Sequence, residues 1–253
     1  MVEVTEAQLL AWITPLLWPF LRTLAMFSSL PVLGTRTVPM RVRVALAALV
    51  ALAAQASLPE MPVVPLDSPA AFAMVAQQVV IGLSVGFAVR VVFAAIEYAG
   101  ETIGLQMGLN FAGFFDPVSA SSATATSRFY GTMVAWLFVV INGHLLVLAA
   151  LLQSFHAFPV GPEPFSFLRE ALPHRWGAEI FMIGLWIALP LIAMLLFVNL
   201  VLGMISRVAA QINIFAVGFP VTVGVGLIGM LLTLPMLEQP FTMALERLLS
   251  TFR

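Results

Sequence analysis

The chain of 253 residues is 61% hydrophobic and 9% charged. Its mean hydropathy is +1.05, far above a soluble domain, and several runs reach bilayer length, so it reads as an integral membrane protein or one buried in a membrane complex. A net charge of -1 offers no broad basic field for nucleic acid, and the absence of cysteine excludes disulfides, thiolate metal sites and Cys nucleophiles. His144, His156 and His174 have no metal-ligand spacing, and no cofactor is expected.

The first stretch, MVEVTEAQLLAW, carries Glu3 and Glu6 where a cleavable leader would be basic. Thr5 and Gln8 have the form of a capping box, which predicts a helix over about 6–30. Pro15, Pro19 and Arg22 inside that apolar run each need a neighbouring helix or water, so Arg22 is expected to point inward. A connection with Gly34, Pro39, Arg36, Arg41 and Arg43 leads to a thin, Ala-rich second helix over about 42–58. The Pro-rich break PEMPVVPLDSPA ends on Ser68 and Pro69, a good N-cap and first-turn pair.

The third helix, over about 70–104, would be about 50 Å long against a hydrocarbon core of about 30 Å. Gly82 and Gly86, and then Gly100, Gly104 and Gly108, recur every four residues and let another backbone approach closely. Arg90, Glu97 and Glu101 stand at i, i+7 and i+11, one face of a continuous helix. That face suits either a polar seam between packed helices or an ion relay.

GLQMGLNFAGFFDPVS, residues 104–119, is no ordinary span. It sets Met107, Phe111, Phe114 and Phe115 beside Asn110, Asp116 and Pro117, and a Ser/Thr/Ala run follows. This is a loop with an apolar tip, tolerated at membrane depth only where protein or a water-filled path supplies partners for its backbone. The residue pattern alone leaves two readings open, a functional centre or packing within the loop.

Ser127 is expected to cap a fourth helix over about 128–158, with Asn142 and His144 in its middle and His144 read as a packing residue. Residues 159–177 turn polar and form the clearest exposed segment, a connection between two helical halves. A fifth helix over about 178–207 holds Pro190 and Asn199. A sixth, over about 212–234, holds Pro220, Gly224, Gly226 and Gly229 and is expected to bend easily and pack closely. The tail carries Leu237, Phe241, Leu245, Leu248 and Phe252 as a helical stripe opposite Glu238, Glu246 and Arg247. It would lie on a surface, dock on a partner helix, or fold back on its own chain. If six helices cross a bilayer, the arginines divide too evenly between the two faces to set an orientation.

GLQMGLNFAGFFDP, NGHLLVLAALLQSF ending in FPVG, and RVAAQINIFAVGFPV resemble the FliR family of flagellar export-gate proteins, related to the SctT subunits of type III secretion injectisomes. LLWPFLRTLAMFSSLPVLGTRTVPMRVRVAL and VVIGLSVGFAVRVVFAAIEYAGETIGLQMG look like the N-terminal half of that family, so the resemblance covers nearly the whole chain in order. Gln78 departs from it where an acidic residue is expected, and Ala210 where Pro is common.

The resemblance implies an all-α, polytopic helical membrane protein whose long broken helices and hairpins pack in a multi-subunit FliP–FliQ–FliR type assembly, partly raised out of the membrane plane. It implies one export-gate domain over 1–253, with N-terminal helices 1–158 that include a plug loop at 104–126, then a C-terminal hairpin and amphipathic tail at 178–253. The implied function is non-enzymatic: a subunit of the flagellar type III export apparatus in the bacterial inner membrane, at the flagellar basal body. Its implied partners are FliP- and FliQ-like subunits, FlhB- and FlhA-like export components, unfolded exported proteins and membrane lipid. Met107, Asn110, Phe111, Phe114, Phe115, Asp116 and Pro117 would form the gate loop, the apolar side chains as stopper and Asp116 with Pro117 setting the turn. Gly82, Gly86, Arg90, Glu97, Gly100, Glu101 and Gly104 would serve helix packing and subunit contact.

Two other function classes compete. A self-sufficient secondary transporter or channel would use Arg90, Glu97 and Glu101 as an ion relay, yet no internal repeat is visible. An intramembrane enzyme would need HExxH or paired membrane aspartates, which the sequence lacks, or GxSxG on a strand-to-helix turn, and its one match, GLSVG at 82–86, stands inside an apolar helical run.

Overall fold

The computed structural model describes residues 6–35, 37–65, 67–109, 124–163, 165–208 and 214–252. Among them all regular structure is helical: α1 Glu6–Ser29, α2 Met40–Ala54, α3 Pro69–Gln106, α4 Ala125–Val140, α5 Gly143–Ala157, α6 Ser166–Ala171, α7 Trp176–Val208, α8 Ile214–Thr233 and α9 Glu238–Leu249, with short 3₁₀ turns between some of them. By length and composition, four described segments are able to cross a membrane: Met40–Ser57, Pro69–Gln106, Pro173–Val208 and Ala216–Phe252. The broken pair α4 and α5 would make a fifth. The protein is a polytopic helical membrane protein, with broad apolar surface on α7 and α8 that includes Phe181, Trp186, Phe197, Leu227 and Leu231.

The chain divides into two compact units. The first takes Met1–Val91, Val139–Trp176 and Leu245–Arg253. In it α1 packs along α2, and Trp18, fully buried, joins Ala71 and Met74 of α3. The Trp18 indole donates to the Pro62 carbonyl at 3.1 Å, which pins the Pro-rich break across α1. Gly82 and Gly86 lie against α1, where a Cβ on Gly82 would meet the Arg22 carbonyl and one on Gly86 would stand 2.7 Å from the Met26 carbonyl. The polar connection is exposed or half-buried along most of its described residues, with Phe167 as an inward anchor. Phe167 of α6 is fully buried, edge-on to Phe158 at 4.9 Å and stacked on Phe252 at 5.5 Å. One aromatic residue in a polar run is enough to fold the segment down.

The second unit takes Val92–Phe138 and Gly177–Ala244. Phe93 is edge-on to Phe138 at 5.6 Å and to Phe241 at 5.9 Å. Gly184 of α7 admits α3 closely, since a Cβ there would stand 2.5 Å from the Ala95 carbonyl. Leu237 and Phe241 are buried in this unit, and Leu245, Leu248 and Phe252 in the first, so the tail stripe folds back on its own chain.

Two sequence expectations are corrected. The helix expected over 128–158 is two helices, broken where Asn142 takes a left-handed conformation with φ 57. Asn adopts that conformation more readily than other non-glycine residues, and Asn142–Gly143 is a turn signal set inside an otherwise apolar run. His144, expected in mid-helix, is exposed in the first turn of α5. The cap of α4 is Thr124 rather than Ser127: the Ser127 N–H donates to Thr124 Oγ1 at 3.2 Å.

Candidate functional site

The site lies in the second unit, at the C-terminal end of α3, on either side of the Phe-rich segment. Asn110, Phe111, Phe114, Phe115, Asp116 and Pro117 lie outside the described residues, as does Ala210. The two roots of the loop are described.

On the leaving side α3 is followed by a turn at Met107 and Gly108, whose φ of 80 suits a residue without a Cβ. Met107 just before it is 1% exposed. Its side chain rests on α8, so close to Gly226 that a Cβ there would stand 2.6 Å from Met107 Cγ and 2.7 Å from Sδ. Thr222, one helical turn earlier, donates a long 3.5 Å hydrogen bond to the Met107 carbonyl. The structure thus places Met107 in the wall of the unit, seated on a glycine that admits its thioether.

The returning side is held by a carboxylate. Glu101 Oε2 accepts from the Thr124 N–H at 3.1 Å and from its hydroxyl at 2.8 Å. Thr124 Oγ1 also lies 3.0 Å from Thr126 Oγ1, and Ser127 Oγ donates to the Glu97 carbonyl at 3.1 Å. These bonds fit only because α3 and α4 meet at their smallest residues. A Cβ on Gly100 would stand 2.9 Å from Ser127 Cα, and one on Gly104 would collide with the Thr126 hydroxyl. Two glycines bring the helices together, and Glu101 then satisfies the amide that the α4 N-terminus leaves open.

Of the seam residues, Arg90 and Glu97 are exposed and Glu101 is half-buried, all on the uninterrupted α3. Glu101 is committed to Thr124 and acts as an anchor of the loop root. Among the described residues no group of three or more His, Asp or Glu is placed to hold a metal.

The first unit holds a polar node that sequence reasoning saw only in part. Arg22 is fully buried. It donates through Nε to Gln78 Oε1 at 2.7 Å, through Nη1 to Ser154 Oγ at 2.9 Å and through Nη2 to the Phe158 carbonyl at 3.0 Å, with the Phe155 ring 3.7 Å from its guanidinium carbon. Gln78 donates onward to Gln77 Oε1 at 2.8 Å. Gln77 spans the Pro159–Gly161 turn, donating to the Pro159 carbonyl at 3.2 Å and accepting from the Gly161 N–H at 3.0 Å. Every acceptor of the guanidinium here is neutral. The side chain at 78 therefore serves this network as an amide, both accepting and donating. Gln77, Ser154 and the Thr124–Glu101 pair were missed because each is an ordinary polar residue whose partner is distant in sequence.

The model of bacterial export proteins, family 1, matches residues 13–248. The chain belongs to the FliR family. Flagellar biosynthetic protein FliR of Escherichia coli K12 is 41% identical over 241 residues, covering 95% of this chain and 92% of the relative. The FliR protein of Pectobacterium carotovorum is 40% identical over 244 residues, with 95% and 92% covered. That of Buchnera aphidicola from Acyrthosiphon pisum is 30% identical over 237 residues, with 94% and 92% covered. The FliR match runs through both units and through both loop roots.

Proposed function

We propose that this FliR-family chain is a non-enzymatic subunit of the flagellar protein-export apparatus. It acts as one export-gate domain in the bacterial inner membrane, beside FliP- and FliQ-like subunits and with FlhB- and FlhA-like components nearby. In this reading the loop after Met107 closes the resting pore. Phe111, Phe114 and Phe115 exclude water and ions, and Asn110, Asp116 and Pro117 shape the turn that presents them. A hydrophobic constriction gates by dewetting, and aromatic side chains repack around a passing peptide of any sequence.

The observation that carries this reading is the pair of anchored roots. Met107 is seated on Gly226, and Thr124 is tied to Glu101. A plug must move at its tip while its ends stay fixed, and Phe-rich sequence between two fixed ends meets that requirement. Arg90, Glu97 and the exposed apolar faces of α7 and α8 are then surfaces for neighbouring subunits and lipid.

Deleting Gly108 to Phe115 tests the plug. The expected outcome is a complex that still assembles but a membrane that leaks small ions, measured by conductance or ion uptake. Normal permeability in cells holding the assembled deletion variant would remove the plug role.

A further inference from the structure

We propose that the outer groove between α1 and α2 binds one anionic phospholipid, with an acyl chain along the groove and the phosphate at Arg41 and the N-terminus of α2. This inference is independent of the export reading.

The groove has a volume of about 420 Å³ and is lined only by apolar residues, among them Trp12, Leu16 and Phe20 of α1 and Ala48, Ala51 and Leu52 of α2. Trp12 is 67% exposed and Leu52 55%, so the groove opens to the surroundings of a helix long and apolar enough to span a membrane. Its wholly apolar lining suits a hydrocarbon chain.

Charge supplies the other half. Between Glu6 and Glu60 the sequence has no Asp or Glu, while Arg36, Arg41 and Arg43 cluster at the turn between the two helices. Arg43 is occupied, its Nη2 donating to the Thr35 carbonyl at 2.5 Å and to the Val38 carbonyl at 3.0 Å. Arg41 is exposed. It precedes Ala48 by seven residues and Leu52 by eleven, two and three turns along the same face of α2. The N-cap of α2 is Pro39, with no side-chain cap; the Val42 and Arg43 amides turn back to the Pro39 carbonyl, which leaves those of Met40 and Arg41 open to an anion beside the guanidinium. From Arg41 to Leu52 the helix rises about 16 Å, close to the roughly 15 Å of hydrocarbon in one leaflet. A headgroup at Arg41 therefore sends its chain along the groove to the depth a lipid tail reaches.

The test uses the full-length chain, extracted with the partners it carries and placed in phosphatidylcholine vesicles. These are doped with phosphatidylglycerol or phosphatidylcholine bearing brominated acyl chains, and Trp12 emission is read as the difference between wild type and Trp12→Phe. Brominated phosphatidylglycerol should quench Trp12 at a mole fraction about fivefold lower than brominated phosphatidylcholine in low salt, the effect of one arginine near an anionic headgroup. Arg41→Gln should remove that preference without lowering the thermal midpoint, and Ala48→Phe should weaken quenching by both lipids by filling the groove. Equal quenching of wild type by the two lipids would mean ordinary boundary lipid and would overturn the proposal. No quenching by either would mean that a protein partner covers the groove, which overturns it equally.

Discussion

The two ends of α3 are held by opposite means. In the first unit its N-terminal part is fixed by long polar side chains: Gln77 and Gln78 complete a buried network around Arg22 and the turn after α5. In the second unit its C-terminal part is fixed by missing side chains, because Gly100 and Gly104 let α4 in and Glu101 ties the helix start. A buried network specifies register, since a shift of one residue would strand several polar groups at once. A small-residue seam specifies distance, and its hydroxyls have freedom to re-pair. The first arrangement suits a rigid frame, the second a contact that can yield.

The largest effect separating the two should come from Arg22→Leu, which strands buried acceptors on α3, on α5 and in the following turn. A loss of about 3 kcal/mol or more is expected, read as a lower thermal midpoint in detergent and poor accumulation in the membrane. Gln78→Glu sharpens the point. If the missing negative charge limits the node, the midpoint rises; if the amide's onward bond to Gln77 matters more, it falls, and the geometry favours the fall.

Steric insertions come next. Gly82→Leu aims a side chain at the backbone carbonyl of Arg22, which has no rotamer to escape by, and should cost about 1–3 kcal/mol as overpacking. Gly104→Leu meets threonine hydroxyls first and should cost less, provided Thr124 and Thr126 rotate. Equal losses at both sites would erase the distinction between a rigid and a yielding contact.

The smallest effect is expected from Glu101→Gln, about 1 kcal/mol from weaker bonds to Thr124. Its signature is local: faster amide hydrogen exchange over 124–128 with no change around Arg22. Exchange that accelerates in both units would show that the loop root is coupled to the frame.

The helical character of the apolar runs and the inward Arg22 were legible because apolar run length and a charge in an apolar run are local signals. The break at Asn142 was signalled only by the Asn142–Gly143 dipeptide, a turn signal outweighed by the apolar residues on both sides. Thr124 as cap was hidden by Ser127 three residues later, a residue of equal capping chemistry. The place of Met107 was also hidden, because the glycine that receives it lies 119 positions further along the chain.

By itself the sequence determined the class of the protein, a helical membrane protein of the FliR family, because hydropathy and residue order survive without contacts. Tertiary structure decided what each polar residue inside that apolar chain is for. A buried hydrogen bond depends on which distant group arrives within about 3 Å, so Arg22 found amides and a hydroxyl, Glu101 found Thr124, and the amphipathic tail found its own chain.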